Sequence, residues 1–308
     1  MRTYLLIALT LFLLPTSAFA QRCVFEKPIE FDIPVDGQTL LELKLEAGNL
    51  VVEGMDNSNV VEVRAIACAG NKSAIEDLDL KQESNRDSIV IHSVTPNLSS
   101  LFGFNTYAYI NTTVTLPSSM NLDVNDGSGE IHIRNISNLK LVDGSGNIEI
   151  DTISGDLDLN DGSGNTSIRS VAGNAEIEDG SGNLSIDGVT GNLSVNDGSG
   201  NLDIENVEGI VRIEDGSGNV EIRNAGTVII DEDGSGNILI EDIVGDITIE
   251  SDGSGNILAE NIDGNVIIEN DGSGSISVED IRGDFIVNDD GSGGVSHSGV
   301  QGRVSISD

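Results

Sequence analysis

The tetrapeptide Asp-Gly-Ser-Gly recurs ten times, beginning at Asp126, Asp143, Asp161, Asp179, Asp197, Asp215, Asp233, Asp252, Asp271 and Asp290. Successive copies are 17 residues apart, then 18 five times, then 19 three times. Repetition at so nearly one period restricts the chain to a stack of equivalent units, each resting on its neighbours. Each unit divides again: Gly182-Asn183-Leu184-Ser185-Ile186 is followed by Gly191-Asn192-Leu193-Ser194-Val195. In both halves apolar residues alternate with Ser185, Asp187, Ser194 and Asn196, the period of a strand with one apolar face. One unit cannot bury that face alone. Wound into a coil rising about 4.8 Å per turn, the units pair their backbones and enclose a continuous core. The chain is therefore predicted to be all-β, a parallel β-solenoid of about ten 18–19-residue rungs with two short strands per rung.

The two halves end differently. The first closes on an apolar residue, such as Ile153, Val171, Val189, Val207, Ile243, Ile262 or Ile281, which predicts a corner filled from inside. The second closes on Asp-Gly-Ser, which predicts a tight glycine corner. From Asp233 onward the second half gains one residue before its Asp, as in Glu250-Ser251-Asp252. Placed at a corner, that insertion leaves Val228/Ile230 and Ile247/Ile249 facing inward.

Three segments follow from this reading. Residues 1–20 have the form of an export signal, with Arg2, an apolar run from Leu5 to Leu14 and the cleavage pattern Ala18-Phe19-Ala20. Residues 21–125 are β-rich but irregular; Leu41–Leu45, Val61–Val63, Ser88–Ile91 and Thr112–Leu116 read as strands of an N-terminal cap or of early distorted rungs. Residues 126–308 are the regular solenoid. Export to the periplasm, the cell surface or the medium places Cys23 and Cys68 in an oxidising compartment, where one structural disulfide between them is expected. The mature chain has no second apolar run and so no transmembrane segment.

The net charge of −37, from 52 acidic against 15 basic residues, repels nucleic acid and bare anionic membranes. Much of it lies in files. Stacking lines up the ten Asp side chains in one file and Asn147, Asn165, Asn183, Asn201, Asn219, Asn237 and Asn256 in another. Carboxylates about 4.8 Å apart repel, by about 1 kcal/mol in water and several times that in a partly buried site. Two arrangements offset this. In an Asx turn each Asp accepts the amide hydrogens of the Ser and Gly two and three residues on, while the Asn amides bond along their own file. In the alternative, the ten Asp residues Asp126 to Asp290 hold Ca2+ in a calcium-stabilised roll. The acidic nonapeptide repeats of secreted bacterial toxins suggest that alternative. This chain departs from them by placing Leu, Ile or Val after Gly-Asn, where they place a ligand Asp, and by having its Asp corner once per rung.

No catalytic residues emerge. Asp-Gly-Ser-Gly lacks the spacing of a nucleophile elbow, ten equivalent serines point to structure, and His92, His132 and His297 are isolated. A polysaccharide-active enzyme would need a rung that breaks the pattern with an acidic cluster, and none does. The outward column Arg134, Asp151, Arg169, Asp187, Glu205, Arg223, Glu241, Glu260, Glu279 is charged throughout, and it carries no aromatic residue to stack on sugars.

Repeated Gly-Ser-Gly-Asn-Ile/Leu-x-Ile followed by Gly-Asp/Asn-Leu-x-Leu resembles the bacterial "putative adhesin" domains of unknown function. So do the start Leu41-Glu-Leu-Lys-Leu-Glu-Ala-Gly-Asn-Leu50 and the ending Val300-Gln-Gly-Arg-Val-Ser305. The resemblance runs from about Thr39 to the end of the chain. It implies an exported single-chain β-solenoid and carries over no catalytic residues. The expected function is thus a non-catalytic scaffold that binds a cell-envelope or surface component, without a cofactor unless Ca2+ binds. End-to-end association of rods is also expected, since the strand at Val304-Ser-Ile306 has no helical cap.

Overall fold

The computed structural model describes residues 23–95 and 107–307, so the predicted export signal lies outside the described residues. All 26 strands among them join one continuous sheet. The first elements are β1 (Phe25–Pro34), β2 (Leu40–Lys44), β3 (Leu50–Met55), β4 (Val60–Ala69), the short helix α1 (Lys72–Asp77), β5 (Asp79–Ser84), β6 (Ser88–Val94) and β7 (Ala108–Pro117). With β8 (Asn121–Asp126) and β9 (Ile131–Ile136) the regular coil begins, and from there every strand pairs in parallel with its equivalent one rung on. Leu139–Asp143 lies on Leu157–Asp161, which lies on Ala175–Asp179, residue for residue.

Alternation decides which residues meet. Leu157 and Leu159, Ala175 and Ile177, Leu193 and Val195 are buried in one file after another, with their in-between neighbours exposed. The first strand of each rung breaks this rule once. In Ile148–Ile153 both Asp151 and Thr152 face outward before Ile153 turns in. The break is a bulge whose second residue has a left-handed backbone: Asn135, Thr152, Ser170, Gly188, Asn206, Asn224, Asp242, Asn261 and Asp280 all have φ between 53° and 86°. Each bulge delivers the apolar corner residue predicted from sequence, and Ile153, Val171, Val189, Val207, Ile243, Ile262 and Ile281 are all buried. The added residue after Asp215 is absorbed as a register shift between Ile213 and Glu214, and Val228, Ile230, Ile247 and Ile249 stay fully buried.

The N-terminal segment is both rung and cap. β2 and β3 form an in-register rung resting on β8 and β9. Their other edges carry β6 and β7, which come later in the chain. The chain thus lays one rung, runs outward to build the end layer, and returns to the opposite side. In that layer β4 pairs antiparallel with β7 and with β1, and β5 pairs antiparallel with β6. β1 is the outer edge, and Pro28 and Pro34 within it leave no continuous row of donors for a further strand. Cys23 and Cys68 are disulfide-bonded with Cα atoms 5.6 Å apart, tying the start of β1 to β4 across 45 residues. In the chain-entropy picture this closure stabilises the fold by about 4 kcal/mol.

The glycine corner sets how closely rungs approach. At Asp197-Gly-Ser-Gly200, the Gly198 amide donates to the Asp179 carbonyl at 2.8 Å and the Gly200 amide to the Ser217 carbonyl at 2.9 Å. Gly200 has φ +147°, and a Cβ there would lie 1.4 Å from the Gly182 carbonyl oxygen. Gly188, at a bulge where other rungs carry Thr, Ser, Asn or Asp, meets nothing closer than 3.6 Å. Gly200→Ala is therefore expected to cost more than about 3 kcal/mol, because two rungs must part, and Gly188→Ala only about 1 kcal/mol for the left-handed backbone. Denaturant melts of the two variants side by side check the contrast.

Candidate functional site: a buried carboxyl file and an open groove

The ten repeat Asp residues do form one file, but it runs inside the rod. Asp161 shares its parity with Leu157 and Leu159 and points with them into the core. Asp126, Asp143, Asp161, Asp179, Asp197, Asp215, Asp233, Asp252 and Asp271 are at most 4% exposed, and Asp290, on the last rung, is partly covered. The file stays aligned where rungs lengthen, through the bridges Asp233–Asp252, Asp252–Asp271 and Asp271–Asp290.

The Asx turn forms in part. Asp161, Asp179, Asp197 and Asp215 accept the amide hydrogen of the Ser two residues on at 3.0–3.1 Å. The Gly amide three residues on, which the sequence had suggested as a second donor, does not join it. It donates to the Ser carbonyl of the following rung, because backbone pairing between rungs has first claim on it. Many carboxyl oxygens are consequently buried without a donor in good hydrogen-bonding geometry, including both oxygens of Asp126, Asp143, Asp233, Asp252 and Asp271, and the nearby Ser amides offset their burial only in part. Asp161 alone of the buried nine has both oxygens satisfied, because Thr166 occupies a place otherwise filled by Ile, Leu or Val and donates its hydroxyl at 3.1 Å. Loss of water, and secondarily the neighbouring carboxylates, push Asp143, Asp179, Asp197 and Asp252 up to about 6 and Asp126 and Asp233 to about 7. Asp161, Asp215 and Asp271 are raised as well, again chiefly by burial. Among the described residues no group of three or more His, Cys, Asp or Glu side chains is arranged to hold a metal ion.

Outside the core, amides bond up the rod. Asn183 Nδ2 donates to Asn165 Oδ1 at 3.1 Å, Asn201 to Asn183 at 2.9 Å, and Asn219 to Asn201 at 3.0 Å; each Oδ1 also accepts the next Asn's backbone amide. A second file, missed in the sequence reading, marks the opposite corner: Asn121, Asn138, Asp156, Asn174 and Asn192, the last accepting the Ile210 amide at 3.0 Å. On the first-strand face Arg223 lies among Glu205, Glu221 and Glu241. His132 is not isolated there, since its Nδ1 is 3.0 Å from Glu149.

A groove of about 900 Å³ opens along the second-strand face, from Asn121 to Ile229. It crosses seven rungs, a length of about 29 Å at the rung spacing. The second amide file borders it, and the outward column Lys140, Asp158, Glu176, Ser194, Arg212, Ile229 lines it. Within it Lys140 pairs with Asp158, while Arg212 reaches Asp231 at 2.6 Å. Ile210 is 44% exposed at its far end. This column consists of the middle residues of the Leu-x-Leu half-repeats, so the same period that aligned the first-strand columns contains it.

Fold and exterior define a β-solenoid repeat protein. More particularly, the chain belongs to the Toastrack DUF4097 family, whose model matches residues 41–235. No curated protein matches it. Among solved structures it is similar to a "putative adhesin" from Bacteroides fragilis NCTC 9343, at 15% identity and TM-score 0.26, covering 91% of this chain and 97% of that one. It is also similar to a "putative cell adhesion protein" from Clostridium sporogenes ATCC 15579, at 11% identity and TM-score 0.25, covering 88% and 100%. A third is a "putative lipid binding protein" from Parabacteroides distasonis ATCC 8503, at 15% identity and TM-score 0.34, covering 91% and 97%. At such distances these likenesses carry no information about ligands.

Asn201 sits mid-file, where its side chain donates to one rung and accepts from the next. Asn201→Ala is expected to lower stability by about 1–2 kcal/mol, the value of a few exposed amide bonds, with the fold unchanged. Thermal melting together with the far-ultraviolet dichroism spectrum checks both parts.

Proposed function

We propose that this protein is an exported, non-catalytic scaffold that binds a cell-envelope or surface component laid lengthwise in the second-strand groove. The observation that carries this reading is the groove itself: open, seven rungs long and lined at every rung by a side chain of changing character. A uniform coil otherwise presents identical files, which cannot single out one ligand. Here the lining runs from Lys140 and Asp158 through Ser194 to Arg212, Ile210 and Ile229, so a bound segment would meet charged side chains toward both ends and exposed apolar surface only at the second. The bordering Asn138 and Asn174 amides each use one N–H along their file and keep another for a ligand. The disulfide fits the oxidising compartment that such a role requires. Among the described residues no helix is long and apolar enough to cross a membrane.

Catalysis finds no support in this arrangement. Of the acid–base groups along the groove, Lys140 pairs with Asp158 and Arg212 with Asp231, which leaves Glu176 between them and no cluster gathered about one reacting position.

Co-sedimentation of the mature protein with isolated cell envelopes tests the proposal. The wild type is expected to pellet saturably with envelopes. Ser194→Trp, which fills the middle of the groove from an exposed position, is expected to weaken this at least about tenfold, or roughly 1.4 kcal/mol. Absence of wild-type binding, or undiminished binding by the folded variant, overturns it.

A further inference from the structure

The carboxyl file is independent of the groove and needs its own explanation. Nine carboxyl groups stand in line in the core, one per rung, about 4.8 Å apart. Among the described residues nothing of opposite charge faces them. Five residues on, around the glycine corner, stands the buried column that begins the next strand, apolar except at Thr166, which bonds Asp161. Within their own strands they follow Leu, Ile or Val, and the acidic residues beside them, Glu178, Glu214, Glu232 and Asp289, face outward. Toward the cap the file stops at Leu45, whose amide donates to the Asn125 carbonyl in the register of Asp126. At the other end it runs out to the half-covered Asp290. The titratable neighbours of each buried Asp are thus the Asp residues above and below it.

Nine ionised carboxylates could not occupy such a file. Each would lose its hydration, most would keep an oxygen without a donor, and each would repel two neighbours through a poorly polarisable interior. The missing donors are available from the file itself. A protonated carboxyl carries one O–H and can give it to an ionised carboxyl on the adjoining rung. Carboxyls sharing protons with ionised neighbours would then be both neutralised and hydrogen-bonded.

We propose that the buried Asp file retains protons in the folded rod near neutral pH, neutral carboxyls donating O–H bonds to ionised neighbours one rung away, so that acid hardens the solenoid and base loosens it. Asp161 is the natural ionised member, since Ser163 and Thr166 already supply it with two donors. The raised values of the other members agree with this assignment. The sign follows from linkage. An unfolded Asp titrates near its ordinary value of about 3.9, so a raised folded value means that the native state binds more protons. The resulting stability is complete below about pH 4 and is lost as pH rises through the folded values of about 6 to 7.

Two measurements on the disulfide-bonded mature chain test this. In D2O buffer near pH 6, the infrared spectrum of the wild type is expected to keep a carboxylic-acid carbonyl band that disappears above pH 8. Exposed carboxyl groups, which titrate at about 4, are almost wholly ionised at that pH and contribute little to it. Absence of the band at pH 6 overturns the proposal even if no variant folds. Thermal melting gives the second reading, with a midpoint expected to fall by about 5–10 °C between pH 5 and pH 8. Repulsion among surface charges would act in the same direction, so two variants that each remove two charges are compared. Asp179→Asn with Asp215→Asn is expected to flatten the pH dependence, whereas Glu178→Gln with Glu214→Gln, on the outer face of the same strands, is expected to preserve it. Equal flattening by both pairs assigns the effect to net charge and overturns the proposal. A midpoint at pH 8 that millimolar CaCl2 raises and chelator lowers, without the infrared band, replaces protons by metal and also overturns it.

Discussion

Rung-to-rung backbone pairing at the glycine corner is the constraint on which the rest depends. In the copies from Asp143 to Asp271, two amide hydrogens of Asp-Gly-Ser-Gly point along the axis in opposite senses, one to the Asp carbonyl behind and one to the Ser carbonyl ahead. The approach leaves no room for a Cβ at the second glycine, since the carbonyl of the previous copy stands within 1.4–1.7 Å of that position in the regular rungs. One residue type therefore recurs at one place in every rung. Because the corner has no freedom, both flanking strands have none either, and each side chain stands directly over its equivalent. The inner apolar files, the outer amide files and the carboxyl file are all consequences of that single registration.

Registration creates a difficulty as well as a solution. A stacked solenoid turns any titratable residue into a line of like charges. On the exterior this chain deals with it by mixing, setting Arg223 among Glu205, Glu221 and Glu241, and Lys140 against Asp158. Such pairs are half exposed, and each adds little stability. In the interior no cation is within reach, so desolvation dominates and the carboxyl groups are driven toward the neutral form. The two solutions differ because water screens the outer files and not the inner one.

The cap shows how a coil of this kind can be ended. A parallel stack offers an unpaired edge on its last rung, an invitation to further strands. Here β4 turns the pairing antiparallel between β7 and β1, and β1 carries two prolines on its free side. The disulfide from Cys23 to Cys68 holds that outer edge in place. Residues that looked irregular in sequence are irregular because they change strand direction, and Leu41 to Val52 among them already obey the repeat.

Much of this was written in the order of residues. The period of the Asp-Gly-Ser-Gly copies implied the coil, alternation identified Leu157 and Leu159 as interior, and the closing Ile or Val of each first half marked the filled corner. These features are local or strictly periodic, so one rung predicts the next. The position of β2 and β3 between strands that come later in the chain was not legible, because it depends on pairings between distant segments. Nor was the burial of the carboxyl file. Asp161 has the parity of the leucines before it, but Asp-Gly-Ser also has the composition of an exposed turn, and sequence alone offers no way to rank the two signals. Enclosure ranked them: only when neighbouring rungs and the facing apolar column close around the corner does the carboxyl lose its water, and that loss belongs to the stack, not to any residue in it.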